Sequence, residues 1–232
     1  MDYTVQLLLL ALTMVLVNNY VFFYFIGGCP YLGVTHRLDI AFGMGLAVTF
    51  CTTVSALLGW AAMFYLLRPG AELTVWICQL LKPDIKPAAV DLSILNYTVY
   101  IILIASSVQL VEMYLRKFNQ PLYKALGIYL PLITTNCCVL FACLIVGSAK
   151  HLPGGTDVWY ADKVLVYSVF AGLGFTLAMC LMGGVREELE HADVPKPFRG
   201  PATVLIVAGI LAMAFMGFAG VDGGIQKLFG SH

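Results

Sequence analysis

Charge is what this sequence has least of. Only 11% of its 232 residues are Asp, Glu, Lys or Arg, 13 of each sign, so the net charge is zero. A soluble globular domain carries roughly 25% charged residues; too few are present to cover a water-facing surface. With no positive excess, nothing argues for a nucleic-acid partner. No H-E-x-x-H, phosphate-binding loop, dinucleotide glycine motif or Ser/His/Asp arrangement occurs, so no soluble catalytic site is read. No C-x₂-C pair occurs either, which removes the local signature of a self-contained thiolate metal site.

What the chain does have is hydrophobic length: 60% of its residues are apolar. Uncharged runs cover 3–35, 40–67, 92–111, 125–149, 164–185 and 201–221. A helix needs about 20 apolar residues to cross a hydrocarbon core ~30 Å thick, and each run is long enough. The expectation is an all-α membrane protein of six transmembrane helices. The first run reads as a mature span and not a cleaved leader, because only Met1 and Asp2 precede it. The loops after spans 1, 3 and 5 hold Arg37, Arg116, Lys117, Lys124, Arg186, Lys196 and Arg199. The other side holds Arg68, Lys82, Lys86, Lys150, Lys163 and Lys227. The positive-inside bias then puts the first group in the cytoplasm and both termini outside.

Two spans are interrupted. In span 1, Asn18 and Asn19 fall at mid-membrane depth, and Gly27-Gly28-Cys29-Pro30 is expected to end the regular helix. In span 4, Gly127 and Pro131 precede Thr134-Thr135-Asn136-Cys137. Freed backbone groups in such breaks need protein or water partners. The chain therefore reads as two halves, about 1–117 and 118–232, each opening on a broken helix that carries a cysteine. Three spans per half make the repeat inverted, and paired broken helices point to a site near the midplane. Residues 66–91 form an insert between spans 2 and 3, in which 73–81 reads as an interfacial helix anchored by Trp76. Residues 184–200 read as a cytoplasmic loop with a short amphipathic start and a proline-stiffened end. In span 2, Gly43, Gly45 and Gly59 permit close helix contact.

All seven cysteines (29, 51, 78, 137, 138, 143 and 180) except Cys78 lie in or at the ends of spans, so a secreted-type disulfide framework is not expected. Buried cysteine is ordinarily a small apolar filler. Thiolates also suit soft iron–sulfur sites, but such a site usually needs four. Cys29 and Cys137 would make half of one, with the rest from a partner chain. Asn18, Asn19, Thr134, Thr135 and Asn136 read either as interhelical hydrogen-bonding groups or as the surroundings of a cofactor or ion path. Glu112 either pairs with Arg116 one turn on or serves an ion path. Asp157 and Asp162 read as solvated residues of an outer loop. An inverted-repeat secondary transporter stands as a second reading, although no carboxylate lies in the middle of a span. A scaffold with filler cysteines is a third.

Six segments carry a resemblance: LVNNYVFFYFIGGCPYLGV (16–34), AFGMGLAVTF (41–50), VQLVEMYLRK (108–117), LGIYLPLITTNC (126–137), VREELEHADVPKPFRG (185–200) and AGILAMAFMGFAG (208–220). They resemble the RnfA/NqrE family of membrane subunits, and the VNN, CP and TTNC details are nearer the RnfA side. The stretch LKPDIKPAAVDLSILN (81–96) is more similar to NqrE of the sodium-pumping NADH:quinone reductase. The resemblance implies a core subunit of a prokaryotic inner-membrane complex that couples electron transfer between ferredoxin and NAD to Na⁺ or H⁺ translocation. Activity is expected of the complex, not of the chain alone. It implies that Cys29 and Cys137 ligate a [2Fe–2S] cluster shared with an RnfE-like sister subunit, in a complex with RnfB-, RnfC-, RnfD- and RnfG-like subunits. Cys51, Cys78, Cys138, Cys143 and Cys180 match no family ligand.

Overall fold

The computed structural model describes residues 3–62, 96–118, 132–133, 136–147, 159–192, 200–221 and 223–224. The expectations for the insert 66–91, with Trp76 and Cys78, and for Gly127, Pro131, Thr134, Thr135 and Asp157 lie outside these residues. The described residues are helical, with no strand among them. Seven helices appear: α1 (Tyr3–Leu12), α2 (Gly28–Gly33), α3 (Leu38–Ala62), α4 (Asn96–Phe118), α5 (Cys137–Gly147), α6 (Ala161–His191) and α7 (Pro201–Met216). By length and composition, α3 and α6 are the two long enough to cross a membrane; α7 and the segments 3–17, 100–110 and 137–147 are shorter apolar helices.

The antiparallel pair α3–α6 is the frame. Its crossing is set by small residues on both helices. A Cβ on Gly45 would lie 2.9 Å from the Thr176 Cα, and one on Gly172 would lie 2.7 Å from the Thr49 Cα. The helices therefore meet backbone to backbone, as small residues allow within a bilayer. Each threonine hydroxyl donates to the carbonyl four residues back, Thr49 to Gly45 at 2.8 Å and Thr176 to Gly172 at 2.9 Å. The two hydroxyl oxygens lie 3.1 Å apart across the crossing. Gly59 faces Cys143 at a looser 3.5 Å, whereas Gly43 meets no neighbour within 4 Å, so it plays no part in close contact.

The ends of the pair are tied differently. At one end Trp60 Nε1 donates to the Trp159 carbonyl at 2.7 Å, and the Tyr3 hydroxyl donates to the Asp162 carboxylate. Asp162 thus belongs to the first turn of α6, held by Tyr3, and is not a free loop residue. At the other end Glu187 accepts the Leu38 N–H at 2.9 Å, supplying α3 with an N-terminal partner from another helix. Helix α6 itself runs unbroken to His191, which corrects the reading of 184–200 as a loop from its start. The Arg186–His191 stretch (REELEH) has good helix formers, and its first residues are fixed by tertiary hydrogen bonds.

Span 1 breaks earlier than expected, and its glycines have the opposite role. Helix α1 passes into a wide π-type turn over Thr13–Val17 and stops there. Asn18 and Asn19 begin an irregular stretch, and Gly28–Gly33 starts a new short helix instead of ending the old one. Pro30 stands in the first turn of α2, where its missing N–H is no loss. Helix α4 packs on α3, with Ser55 and Ser107 hydroxyls 3.0 Å apart. Helix α7 buries Val204 and Ala208 and exposes Leu205, Ile206, Ile210, Met213 and Met216.

Candidate functional site

The irregular stretch 18–27 owes its shape to Asn19. This residue is fully buried, and its amide nitrogen donates to the Gly174 carbonyl at 2.7 Å and the Val15 carbonyl at 3.2 Å. Its Oδ1 accepts the Val21 N–H at 3.0 Å, an Asx turn that substitutes for the lost helical bonds. Asn19 therefore joins the broken chain to the midpoint of α6. Asn18, half-buried, closes the π-type turn through its N–H to the Thr13 carbonyl at 2.7 Å.

Further along, Phe25 has φ 54° and Gly27 has φ 83°. A left-handed Phe is a strained conformation of the kind that collects at functional sites. At Gly27 a Cβ would lie 2.8 Å from the Phe175 ring and 3.5 Å from Asn136 Oδ1, and it would also strike Cys138 Sγ. Cys138 Sγ in turn donates to the Ile26 carbonyl at 3.4 Å. The two breaks thus touch each other, and the first of them also touches the middle of α6 through Asn19 and Gly27.

From this point two helices depart in opposite directions. Cys29 is the second residue of α2, and Cys137 is the first of α5. The far end of α2 meets Arg186, near the end of α6, whereas Gly147 at the far end of α5 abuts Tyr100 at the start of α4. Their N-terminal ends therefore start near the Gly27–Cys138 contact. Each thiol stands where a helix begins, and the first N–H groups of a helix have no partner within it. Cys29 and Cys137 are both exposed, as are Phe23, Tyr24 and Phe25 beside them. Cys51, Cys138 and Cys143 are buried, so the two exposed thiols stand apart from the packing cysteines.

Asn136 precedes Cys137 and caps α5, its Oδ1 accepting the Cys138 N–H at 3.0 Å. Its side-chain nitrogen is buried and has no partner among the described residues. Glu112 belongs to α4, but its side chain and that of Arg116 lie outside the described ones, as does Thr135. Among the described residues no three His, Cys, Asp or Glu side chains gather into a metal-holding group. Two exposed thiols at helix starts can serve as two soft ligands, and the described residues do not complete a four-thiolate set. Asn19 follows the interhelical hydrogen-bonding reading of the sequence, whereas Gly27 has a role the motif did not suggest. Asn19 is a structural tie, and Gly27 is the contact that brings the halves together.

The membrane protein family described as Rnf-Nqr subunit matches residues 7–222. The chain belongs to the Rnf-Nqr family. Among its relatives, the A subunit of the ion-translocating oxidoreductase complex of Erwinia tasmaniensis is 41% identical over 93% of this chain and 97% of its own length. The proteins of the same name from a Shewanella species and from Salmonella paratyphi B are each 40% identical, over 93% and 92% of this chain and 98% and 96% of theirs. The Rnf-Nqr match takes in both breaks, the α3–α6 frame and the two exposed cysteines.

Proposed function

We propose that this chain is a core membrane subunit of an Rnf-type ion-translocating oxidoreductase complex. Cys29 and Cys137 supply two of the four thiolates of an intramembrane [2Fe–2S] cluster, and an RnfE-like sister subunit supplies the other two. The observation that carries this reading is the pair of exposed thiols at the starts of α2 and α5, on either side of the Gly27–Cys138 contact in the sequence. The relatives are named as A subunits of ion-translocating oxidoreductase complexes, which favours the Rnf-type reading over a quinone-reductase or transporter role.

The residues present fit the group. The donor set is soft, and the described residues offer two thiols where half a site is needed. Both thiols are exposed, as ligands shared with a partner chain need to be. When bound, such a cluster would supply one-electron transfer to the complex. The chain's own contribution is to hold two sulfurs at mid-depth on a buried platform formed by Gly27, Asn136, Cys138 and Phe175. RnfB-, RnfC-, RnfD- and RnfG-like subunits complete the proposed assembly in the bacterial inner membrane.

The reciprocal contacts of α3 and α6 support two inverted halves, 1–117 and 118–232. Gly45 receives Thr176 while Gly172 receives Thr49, as a two-fold axis in the membrane plane would require. Arg37 and Arg186 lie at the end of the frame where α2 terminates, which supports a cytoplasmic assignment for that end and external termini. A charge held between Cys29 and Cys137 in a low-dielectric layer would bear on the energy of a nearby Na⁺ or H⁺, which is the coupling proposed.

The test is anaerobic co-expression with the sister subunit, followed by iron and acid-labile sulfide analysis and EPR. The wild-type pair is expected to hold one cluster, Cys29→Ser or Cys137→Ser to lose it, and Cys51→Ser and Cys143→Ser to keep it. A pair that binds no iron, or full ion pumping by a Cys137→Ser complex, would overturn the reading.

A further inference from the structure

Asn136 has four polar groups, and three of them are used. Its backbone N–H donates to the Ile133 carbonyl at 3.2 Å, and its carbonyl accepts the Val139 and Leu140 N–H groups at 3.1 and 3.4 Å. Its Oδ1 accepts the Cys138 N–H. That last bond fixes which end of the amide is oxygen, because an N–H cannot donate to an NH₂. The remaining group is an NH₂ with two protons, on a residue only 3% exposed, and it has no acceptor among the described residues. Leaving such a donor unpaired in a low-dielectric interior is unfavourable, and buried orphans of this kind call for an explanation.

Its place supplies one. Asn136 is next to Cys137 in the chain and against Gly27, two residues before Cys29. Asn19, the other buried asparagine of the two breaks, has both ends of its amide satisfied within the chain. Of these two asparagines, only Asn136 has an unpaired amide nitrogen among the described residues; the buried Tyr31 and Tyr100 hydroxyls also have no partner there, but neither adjoins a thiol in the chain.

We infer that the Asn136 side-chain N–H groups donate to sulfur at the cluster site, so that Asn136 is a positioning and potential-setting residue of the electron carrier. This rests on the cluster reading proposed above and adds a role for one side chain. One electron enters and one leaves; no covalent bond changes, and both protons stay on Asn136. A donor to sulfur stabilises the reduced form, which carries the extra negative charge, and so raises the midpoint.

The experiment uses the full complex, with asparagine labelled with ¹⁵N at the side-chain amide. Pulsed EPR of the reduced wild type is expected to show a side-chain ¹⁵N coupling. Asn136→Gly keeps a tolerated cap and removes the donor without adding charge. It is expected to retain full iron and sulfide, lose the coupling, and make reduction at least about tenfold less favourable, a shift of about 59 mV for one electron. Asn136→Asp keeps the shape and the cap and also lacks the N–H; it is expected to lose the coupling even if the glycine variant fails to assemble. A loaded Asn136→Gly complex with an unchanged midpoint overturns the inference, as does a wild type without side-chain coupling. A wild-type complex with no cluster overturns the site reading itself and this assignment with it.

Discussion

Gly27 and Cys138 lie against each other with no space for a methyl group between them. The contact joins two segments more than a hundred residues apart, and it does so at a left-handed backbone position that a side chain resists. Gly27→Ala therefore incurs two penalties at once, a strained φ of ~1–3 kcal/mol and a clash with Cys138 Sγ and the Phe175 ring. The expected result is a complex that melts lower and holds less iron per protomer than wild type. Retention of full iron content with an unchanged melting temperature would show that the two breaks are not in contact.

Cys138 separates adjacency from ligation. It follows Cys137 directly, yet it is fully buried and its Sγ donates to the Ile26 carbonyl. Cys138→Ala removes a weak donor and a small apolar volume, a loss on the order of 1 kcal/mol. The cluster EPR signal is expected to persist in this variant and to vanish in Cys137→Ser. Disappearance of the signal in Cys138→Ala, in a complex that still assembles, would move the ligand by one residue.

The helical class, the apolar runs and the two unusual segments were legible because they depend on length and on residues with strong local effects. Asn18-Asn19, GGCP and TTNC each announce a break. What each break does was not legible. Gly28-Cys29-Pro30 could end a helix or begin one, and the choice follows from Asn19 taking the Gly174 carbonyl and from Arg186 taking the far end of α2, both contacts about 155 residues apart. The helix beyond Val185 was hidden for a related reason. A run of charges reads as a loop until Glu187 is seen to cap α3. Exposure of Cys29 and Cys137, against burial of Cys51, Cys138 and Cys143, depends on the packed arrangement of α2 and α5 and has no signature in one sequence.

The α3–α6 crossing predicts its own sensitivity. A Cβ at Gly172 would press on the Thr49 backbone, which cannot turn aside as a side chain would. Gly172→Ala is expected to destabilise the protein in detergent by ~1–3 kcal/mol, the usual range for overpacking. Thr49→Ala and Thr176→Ala should each cost less, because interhelical hydrogen bonds in membranes average ~0.6 kcal/mol. Denaturant titration of the three variants gives the order, and a Gly172→Ala protein as stable as wild type would contradict the backbone contact.

Arg186 ties the Cys29-bearing helix to the frame. Its guanidinium donates to the Leu32 carbonyl at 3.0 Å and to Thr35 Oγ1 at 2.9 Å, and Thr35 in turn donates to the Tyr31 carbonyl at 2.6 Å. A cation at the end of a helix also complements its dipole. Arg186→Leu removes the cation and both bonds, and charged hydrogen bonds contribute on the order of 1–3 kcal/mol each, toward the lower end here because the residue is half-exposed. Arg186→Lys restores the charge and one bond. The expected order of melting temperature and of cluster EPR linewidth is therefore wild type, then lysine, then leucine, with the leucine signal broadened as α2 loses its fixed orientation. Equal linewidths in all three would mean that Arg186 stabilises the membrane surface of the protein without governing where Cys29 is held.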